Sequence, residues 1–216
     1  MIERTAAMAF APGAMVFPGG RIDPGDHASG VDPARVAAIR ETIEEVGIAV
    51  GLVPAPGAAA TRRLRAGLAA GRAFVDLLAA EGLTIDPDAL VPFARWCPNF
   101  PETRSFDTWF FLARAPESAV ATPDAAEAAS AHWADAAGWL AAADAGRHRL
   151  IFPTRRTLER LALFADHAGA VAHATAIPVT RITPWVERRG DADWLCIPAD
   201  AGYPVTAERL DAVRRG

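Results

Sequence analysis

The chain has 216 residues, a length typical of one domain or of one domain with an appendage. Hydrophobic residues make up 51% of the sequence and charged residues 22%, which excludes an intrinsically disordered chain. The net charge is −4, and the acidic and basic residues are mixed along the sequence without a basic tail. A general nucleic-acid binder and a binder of anionic membranes are therefore disfavoured.

The pattern of apolar and cysteine residues points to a cellular compartment. No stretch of about 20 apolar residues is free of charge, so no membrane span is expected. The first residues include Glu3 and Arg4 and lack a secretory pattern. Cys97 and Cys196 are the only cysteines, too few for a disulfide framework, which fits a reducing environment. We therefore expect a cytoplasmic protein with neither a membrane partner nor a nucleic-acid partner.

The first quarter of the chain predicts a strand, a loop and a helix. Residues 15–17 form a short apolar strand, which a Pro-Gly-Gly break ends at Gly20. A helix is expected from Asp32-Pro33, because Asp caps free N–H groups and Pro loses no hydrogen bond at the first helical position. Gly47 is the expected end of this helix. Its apolar residues recur every three or four positions, at Val36, Ile39, Ile43 and Val46.

The rest of the chain predicts alternating helices and strands. Residues 51–57 form a linker, and two Ala-rich helices within 58–81 are broken near Gly71. The later elements are strands at 90–96, 105–113 and 130–134, helices at 135–145 and 154–167, and strands at about 180–187 and 192–197. This order predicts an α/β or α+β fold with a mixed sheet, in a single domain over 1–216.

The helix after Asp32 carries an unusual group of carboxylates. Glu41, Glu44 and Glu45 lie three and four residues apart, so their like charges share one side of the helix at a cost of a few tenths of a kcal/mol. One interpretation is a solvated acidic face on which Arg40 pairs with Glu44. The other is a site for a hard divalent cation, because Mg²⁺ is usually shared between carboxylates, waters and substrate phosphates. The helix alone favours the solvated face.

The sequence before this helix changes that comparison. Gly20 and the segment Arg40-Glu41-x-Ile43-Glu44-Glu45-x-Gly47-Ile48 resemble the signature of the Nudix hydrolases, whose second half is matched at every fixed position. The first half departs from the family pattern by a six-residue insertion in the loop. The first acid of the pattern is either Asp26, separated from Gly20 by five residues, or Asp32, separated from Arg40 by seven residues. Asp32 also suits a capping role, so both remain candidates.

The resemblance implies a fold and an activity. The fold is a Nudix-type mixed sheet sandwiched between helices, with a helical insert at about 51–89 and a C-terminal helical extension at about 147–216. The activity is hydrolysis of a nucleoside diphosphate linked to another moiety, a small-molecule substrate, with Mg²⁺ or Mn²⁺ as cofactor. A homodimer is left open.

The resemblance also implies roles for individual residues. Metal ligands are the side chains of Glu41, Glu44 and Glu45 and the carbonyl of Gly20, while Arg40 orients the neighbouring glutamates. The general base is Glu41 itself or an acid upstream of Trp133. The two upstream candidates are Glu127 and Asp124, for which an ordinary surface carboxylate is the alternative.

Further segments resemble one subgroup of the family. Its matching residues are Pro101, Phe106-Asp107-Thr108, Leu150-x-Phe152-Pro153-Thr154 and Leu158-x-x-Leu161. This subgroup is similar to the peroxisomal coenzyme A diphosphatase of animals and its bacterial relatives, which implies a coenzyme A ester as substrate. Three arginines of the insert are candidate ligands of a substrate phosphate, with a solvated helix face as the alternative: Arg62, Arg63 and Arg65. The competing functional class is a non-catalytic Nudix-fold module that binds a nucleotide and regulates; the three repelling carboxylates favour the hydrolase.

Other expectations concern packing and the start of the chain. Arg155 and Arg156 are expected on a solvated face, His27 in an ordinary loop, and the aromatic residues Trp96, Trp109 and Phe110 in the core. Residues 1–4 resemble the end of a strand. We therefore expect the native polypeptide to extend upstream by about 10–20 residues, the length of a strand and a turn. Residues 15–17 would then lack a strand partner in this chain.

Overall fold

The computed structural model describes residues 1–8, 11–98, 106–117 and 119–213. Seven α-helices occur in these ranges: α1 (Pro33–Val46), α2 (Ala58–Ala69), α3 (Phe74–Ala80), α4 (Ala136–Asp144), α5 (Phe152–Leu161), α6 (His167–Ala176) and α7 (Leu210–Val213). Strands of the first half are β1 (Ile2–Arg4), β2 (Met15–Val16), β3 (Leu52–Val53), β4 (Thr84–Ile85), β5 (Leu90–Trp96) and β6 (Thr108–Ala113). Those of the second half are β7 (Ala128–Ala131), β8 (Arg181–Ile182), β9 (Trp185–Arg189), β10 (Ala192–Cys196) and β11 (Ala207–Arg209). Pro101 of the subgroup motif lies outside the described residues.

The strands are distributed over four small sheets, in the orders β2–β1–β7, β3–β4, β6–β5–β8 and β11–β10–β9. Strands β5 and β8 pair in parallel, whereas β1–β2, β1–β7, β3–β4 and both pairs of the β9–β11 sheet are antiparallel. The expected mixed α/β fold is therefore confirmed. The chain divides into two compact units, Met1–Val91 with Ala113–Trp133, and Pro92–Leu112 with Ala134–Gly216.

Strand β1 is the centre of the first unit's three-stranded sheet. Ile2 and Glu3 pair with Val16 and Met15 on one side and with β7 on the other. The expectation that Met15 and Val16 lack a strand partner is therefore wrong, because residues 2–4 themselves supply it. The pairing joins segments more than ten residues apart and has no local signal in the sequence.

Helix α1 has the expected bounds. The carboxylate of Asp32 accepts the N–H of Ala34 at 3.0 Å at one end, and Gly47, at φ +67°, donates its N–H to the carbonyl of Ile43 at the other. The apolar residues that defined the predicted face are all buried. Burial of this face leaves the glutamates of the last two turns on one remaining side of the helix.

The insert forms two helices, as expected, and is closed by a two-stranded sheet. Helices α2 and α3 are separated at Gly71, and a Cβ at Gly67 would overlap the side chain of Leu77, so the two helices pack closely. Strand β3 pairs with β4 across the ends of the insert. The segment 51–57, expected as a linker, thus contains a strand.

The second unit is built around Trp96. Its indole N–H donates to the hydroxyl of Tyr203 at 3.0 Å, and its ring packs edge-on against Phe152 and Tyr203. Trp96 is buried as expected, whereas Trp109 and Phe110 are half-buried. The strands expected at about 180–187 and 192–197 correspond to β8, β9 and β10, whereas α6 and β11 are additional elements of the C-terminal extension. No helix among the described residues is both long and apolar enough to cross a membrane.

Arg156 corrects the expectation of a solvated face. Its side chain is 2% exposed and forms ion pairs with Glu159 at 2.7 Å and Glu208 at 3.1 Å. Neighbouring Arg155 pairs with Asp144 at 2.6 Å. The two arginines therefore neutralise carboxylates within the second unit.

Candidate active site

One cavity of about 320 Å³ in the first unit brings the expected catalytic side chains together. It is lined by Arg40, Glu41, Glu44, Glu45, Arg65, Ala69, Asp124 and Glu127. These residues come from α1, from α2 of the insert and from the segment before β7. All five side chains that the family resemblance marks as catalytic thus surround one space, which is large enough for part of a small ligand.

The guanidinium of Arg40 binds Asp26 beneath the cavity. Nε and Nη2 of Arg40 donate to the two carboxylate oxygens of Asp26 at 3.0 Å each, and Nη2 also donates to the carbonyl of Arg21. Asp26 is 1% exposed and lies in a short 3₁₀ helix, Pro24–Ser29, formed within the lengthened loop. Asp32 instead caps α1 and pairs with Arg35 at 3.1 Å. The two open candidates for the first acid therefore differ: Asp26 contacts Arg40, and Asp32 caps.

The remaining donors of Arg40 hold two of the glutamates. Nη1 donates to Glu41 at 2.9 Å and to Glu44 at 2.7 Å. Burial opposes the charge of Arg40, but the hydrogen bonds and negative charges of Asp26, Glu41 and Glu44 outweigh it and raise the pKa of Arg40. Arg40 therefore stays ionised and orients Glu41 and Glu44 side by side.

Two carboxylates of the cavity have raised pKa values. Burial, together with the charges of Glu41 and Glu127, raises the pKa of Glu45 to about 8, although its Oε2 accepts the backbone N–H of Gly19 at 2.7 Å. Burial also raises the pKa of Glu41 to about 7 against the effect of Arg40. Both values reflect crowded, poorly hydrated carboxylates, an environment that a cation would relieve.

Each of these glutamates has one carboxylate oxygen that is bonded to the protein and one that is not. Glu41 and Glu44 each accept a hydrogen bond from Arg40, and Glu45 accepts one from Gly19. Within the described ranges the second oxygen of each takes no hydrogen bond from the protein. In the part of the chain described, no group of three or more His, Cys, Asp and Glu side chains is arranged to hold a metal ion. A hard cation at this place would therefore need water or substrate oxygens besides these carboxylates, which are ligands that Mg²⁺ usually keeps.

Gly20 lies directly against Glu41. A Cβ built on Gly20 would overlap the carboxylate of Glu41, so a residue with a side chain does not fit there without moving Glu41. The sequence motif required Gly20 without giving this reason. The tight contact places the backbone of Gly20 beside the carboxylates, where its carbonyl is the expected additional oxygen ligand.

We expect Gly20→Ala to displace Glu41 and to weaken Mg²⁺ binding without unfolding the protein. The overlap involves the end of a flexible side chain, which can rotate away but then leaves its place beside Glu44. Calorimetric titration with Mg²⁺ and thermal melting would measure both effects. Gly25→Ala is the matched control, because a Cβ there meets nothing within 4 Å. Unchanged Mg²⁺ affinity in Gly20→Ala would contradict the assignment.

The C-terminal end of α1 connects the site to two other segments. The carbonyl of Ile43 accepts the N–H of Gly47, and those of Val46 and Glu45 accept the backbone N–H groups of residues 122 and 124, both at 2.8 Å. The carbonyl of Glu44 accepts Nε–H of Arg65 at 2.9 Å. All four carbonyls that a helix leaves without intrahelical partners are therefore satisfied. These bonds hold the insert and the segment before β7 at the edge of the cavity.

The two upstream acids have different surroundings. Asp124 turns the chain, because its carboxylate accepts the N–H of Ala126 at 2.8 Å and its carbonyl accepts the N–H of Glu127. Glu127 is exposed, lines the cavity and acts electrostatically on both Glu41 and Glu45. Glu127 therefore faces the site with a carboxylate that no described hydrogen bond engages.

The three arginines of the insert also have different surroundings. Only Arg65 lines the cavity. Arg63 forms a two-bond pair with Glu81, at 2.7 Å for each bond, and Arg62 is exposed. His27 is exposed in the 3₁₀ helix and does not line the cavity. Sequence spacing did not distinguish the three arginines, whereas the direction in which each side chain leaves α2 does.

Comparisons with known proteins bear on the fold of the chain. No family model matches the chain. No curated protein matches it either. Among solved structures, it is similar to a NUDIX hydrolase from Alicyclobacillus acidocaldarius, with 27% sequence identity and a TM-score of 0.65 over 83% of this chain and 87% of that chain. The chain therefore has a mixed α/β fold similar to that of a NUDIX hydrolase.

Proposed function

We propose that this protein is a Mg²⁺- or Mn²⁺-dependent pyrophosphohydrolase that cleaves a nucleoside diphosphate linked to another moiety. The observation that carries the proposal is the cavity in which Glu41, Glu44 and Glu45 each keep one free oxygen beside the exposed carboxylate of Glu127. The similarity to a NUDIX hydrolase supports the same class of reaction.

Glu41, Glu44 and Glu45, with the carbonyl of Gly20, hold the cation in this proposal. When bound, the cation neutralises phosphate charge and acidifies a coordinated water. Arg40 contributes by position: its contacts with Asp26 on one side and with Glu41 and Glu44 on the other keep both carboxylates oriented before substrate arrives. The preorganised carboxylates then need no rearrangement during the reaction.

Glu127 is the proposed general base. Its carboxylate faces the same cavity as the metal-binding glutamates and is not engaged by Arg40, so it is available to accept a proton from the attacking water. Glu41 is the alternative base, but one of its oxygens is bound to Arg40 and the other is needed for the cation. Asp124 is less suitable because its carboxylate already stabilises a turn.

We propose a coenzyme A ester as the substrate, cleaved within its diphosphate to 3′,5′-ADP and a phosphopantetheine product. This part of the proposal rests on the subgroup resemblance of the segments around Phe106, Phe152 and Leu158. The proposed partners are thus small molecules. The absence of Lys among the 22 basic residues leaves arginine as the cation available for phosphate recognition.

We expect a screen of diphosphate compounds to identify the activity. The purified protein would be incubated with coenzyme A and an acyl ester of it, ADP-ribose, a dinucleotide and a sugar nucleotide, each with Mg²⁺ or Mn²⁺, and phosphate would be measured after phosphatase coupling. Turnover of coenzyme A compounds above the others is the expected result. Equal or faster turnover of ADP-ribose or a sugar nucleotide would reject the coenzyme A proposal, and no turnover of any compound would reject the hydrolase.

A further inference from the structure

The charges around the cavity are strongly unbalanced. Five of its lining side chains are carboxylates and two are arginines. A diphosphate carries several negative charges, so its entry into this space needs cationic donors besides a metal ion. The donors that remain available on the two arginines therefore determine how the protein can contact a phosphate.

Arg40 has no donor left for a substrate. Its five N–H groups are used by both oxygens of Asp26, the carbonyl of Arg21, Glu41 and Glu44. Its role toward a ligand is therefore indirect, through the carboxylates it holds.

Arg65 differs from Arg40 in this respect. Nε of Arg65 donates to the carbonyl of Glu44 at 2.9 Å, which fixes the guanidinium over the end of α1. Its Nη1 lies 3.3 Å from the position that a Cβ on Gly47 would take, so the guanidinium is close to the helix end. Within the described ranges, neither Nη1 nor Nη2 of Arg65 donates to a protein acceptor. Arg65 therefore brings four N–H donors to the cavity wall in a fixed place.

We propose that Arg65 binds non-bridging oxygens of the substrate's diphosphate, so that the insert supplies the phosphate-recognising side chain of the site. This inference rests on the proposed function. Two parallel N–H groups of a guanidinium match two phosphate oxygens, and an arginine already held at Nε loses little freedom on binding them. The hydrogen bond to Glu44 also couples the insert to the helix that carries the carboxylates.

Arg63 supplies a matched control for Arg65. Arg63 is two residues away on the same helix, but its guanidinium is paired with Glu81 outside the cavity. Removing either charge changes the net charge of the protein by the same amount. A loss that came only from the lower net charge would therefore appear in both variants, and a loss in Arg65→Gln that Arg65→Lys does not fully restore separates the contact with phosphate from the local charge.

The test measures binding of a nucleoside diphosphate that cannot be hydrolysed. α,β-Methylene-ADP would be titrated calorimetrically into the wild-type protein, Arg65→Gln, Arg65→Lys and Arg63→Gln, with Mg²⁺ present. We expect Arg65→Gln to weaken binding about 10- to 100-fold, the loss typical of a charge-assisted hydrogen bond. Arg65→Lys keeps the charge but lacks the planar guanidinium, so its affinity for the analogue should lie between those of the wild type and Arg65→Gln. Arg63→Gln should bind the analogue as the wild type does.

Melting temperatures and steady-state kinetics separate the alternatives. If Arg65 only caps α1, Arg65→Gln and Arg65→Lys melt at a lower temperature but bind the analogue with wild-type affinity, which overturns the inference. If the wild type hydrolyses diphosphates while KM and analogue affinity are unchanged in both Arg65 variants, the inference fails and the proposed function stands. If the wild type binds the analogue and Arg65→Gln does not, but no diphosphate is hydrolysed, the inference stands and the hydrolase fails. A wild type that does not bind the analogue overturns the inference, whereas turnover in the substrate screen decides the proposed function.

Discussion

Glu45→Gln is expected to lower turnover of the diphosphate substrate by about 10²-fold or more, with little change in stability. The substitution keeps the size of the side chain and its acceptor for the N–H of Gly19, but removes the charge from the most buried of the three metal-binding carboxylates. Because a cation relieves a carboxylate whose pKa is raised, we expect Mg²⁺ to raise the melting temperature of the wild type and to raise that of the variant less.

The measurement combines steady-state kinetics at saturating Mg²⁺ with melting curves in Mg²⁺ and in a chelator. Glu81→Gln is the matched control, since Glu81 pairs with Arg63 and does not line the cavity. Its activity and its response to Mg²⁺ should equal those of the wild type. Full activity of Glu45→Gln at saturating Mg²⁺ would remove Glu45 from the proposed metal site.

Asp26→Ala is expected to destabilise the protein by about 3–5 kcal/mol, the cost typical of breaking a buried ion pair from one side. Asp26 is 1% exposed and accepts two hydrogen bonds from the buried guanidinium of Arg40, so its removal leaves Nε of Arg40 without a partner. Arg40 would also be less firmly held, and with it Glu41 and Glu44. We therefore expect loss of activity even at temperatures where the variant is folded.

Asp32→Ala is the comparison variant for this prediction. Loss of its cap on the N–H of Ala34 should cost about 1 kcal/mol and leave activity unchanged, because the side chain is outside the cavity. Urea unfolding of Asp26→Ala, Asp32→Ala and the wild type gives the change in free energy of unfolding for each variant. Equal destabilisation by the two substitutions, or a larger effect of Asp32→Ala, would contradict the assignment of Asp26 as the acid that supports Arg40.

Elements with local signals could be predicted from the sequence alone. The start and end of α1 follow from Asp32, the proline after it and Gly47, and the apolar spacing identifies its buried face. The break between α2 and α3 follows from Gly71, and β5 has the predicted bounds, 90–96. Such features depend on residues within one or two turns of each other, where backbone geometry and capping chemistry act directly. The same local spacing placed Glu41, Glu44 and Glu45 on one side of a helix.

Pairing between distant segments could not be predicted in this way. Strand β1 joins β2 to β7, and Arg156 pairs with Glu208, because packing brings these distant segments together. The sequence contains enough charged residues for many different ion pairs. The positions that the folded elements occupy determine which of these ion pairs form.

The same distinction applies to the candidate site. The sequence indicated the carboxylate helix, because its residues match the second half of the family signature at every fixed position, and it indicated Gly20 as the glycine before the lengthened loop. It left Asp26 and Asp32 as alternatives, weighed Glu127 with Asp124, and treated three insert arginines alike. The fold distinguishes them: a 3₁₀ helix carries Asp26 to Arg40, a turn engages Asp124 and leaves Glu127 exposed, and the end of α1 binds Arg65. The contact between Asp26 and Arg40 spans 14 residues and that between Glu44 and Arg65 spans 21, so local spacing carries no information about them. The turn at Asp124 is local, but that Glu127 faces the cavity depends on the packed chain.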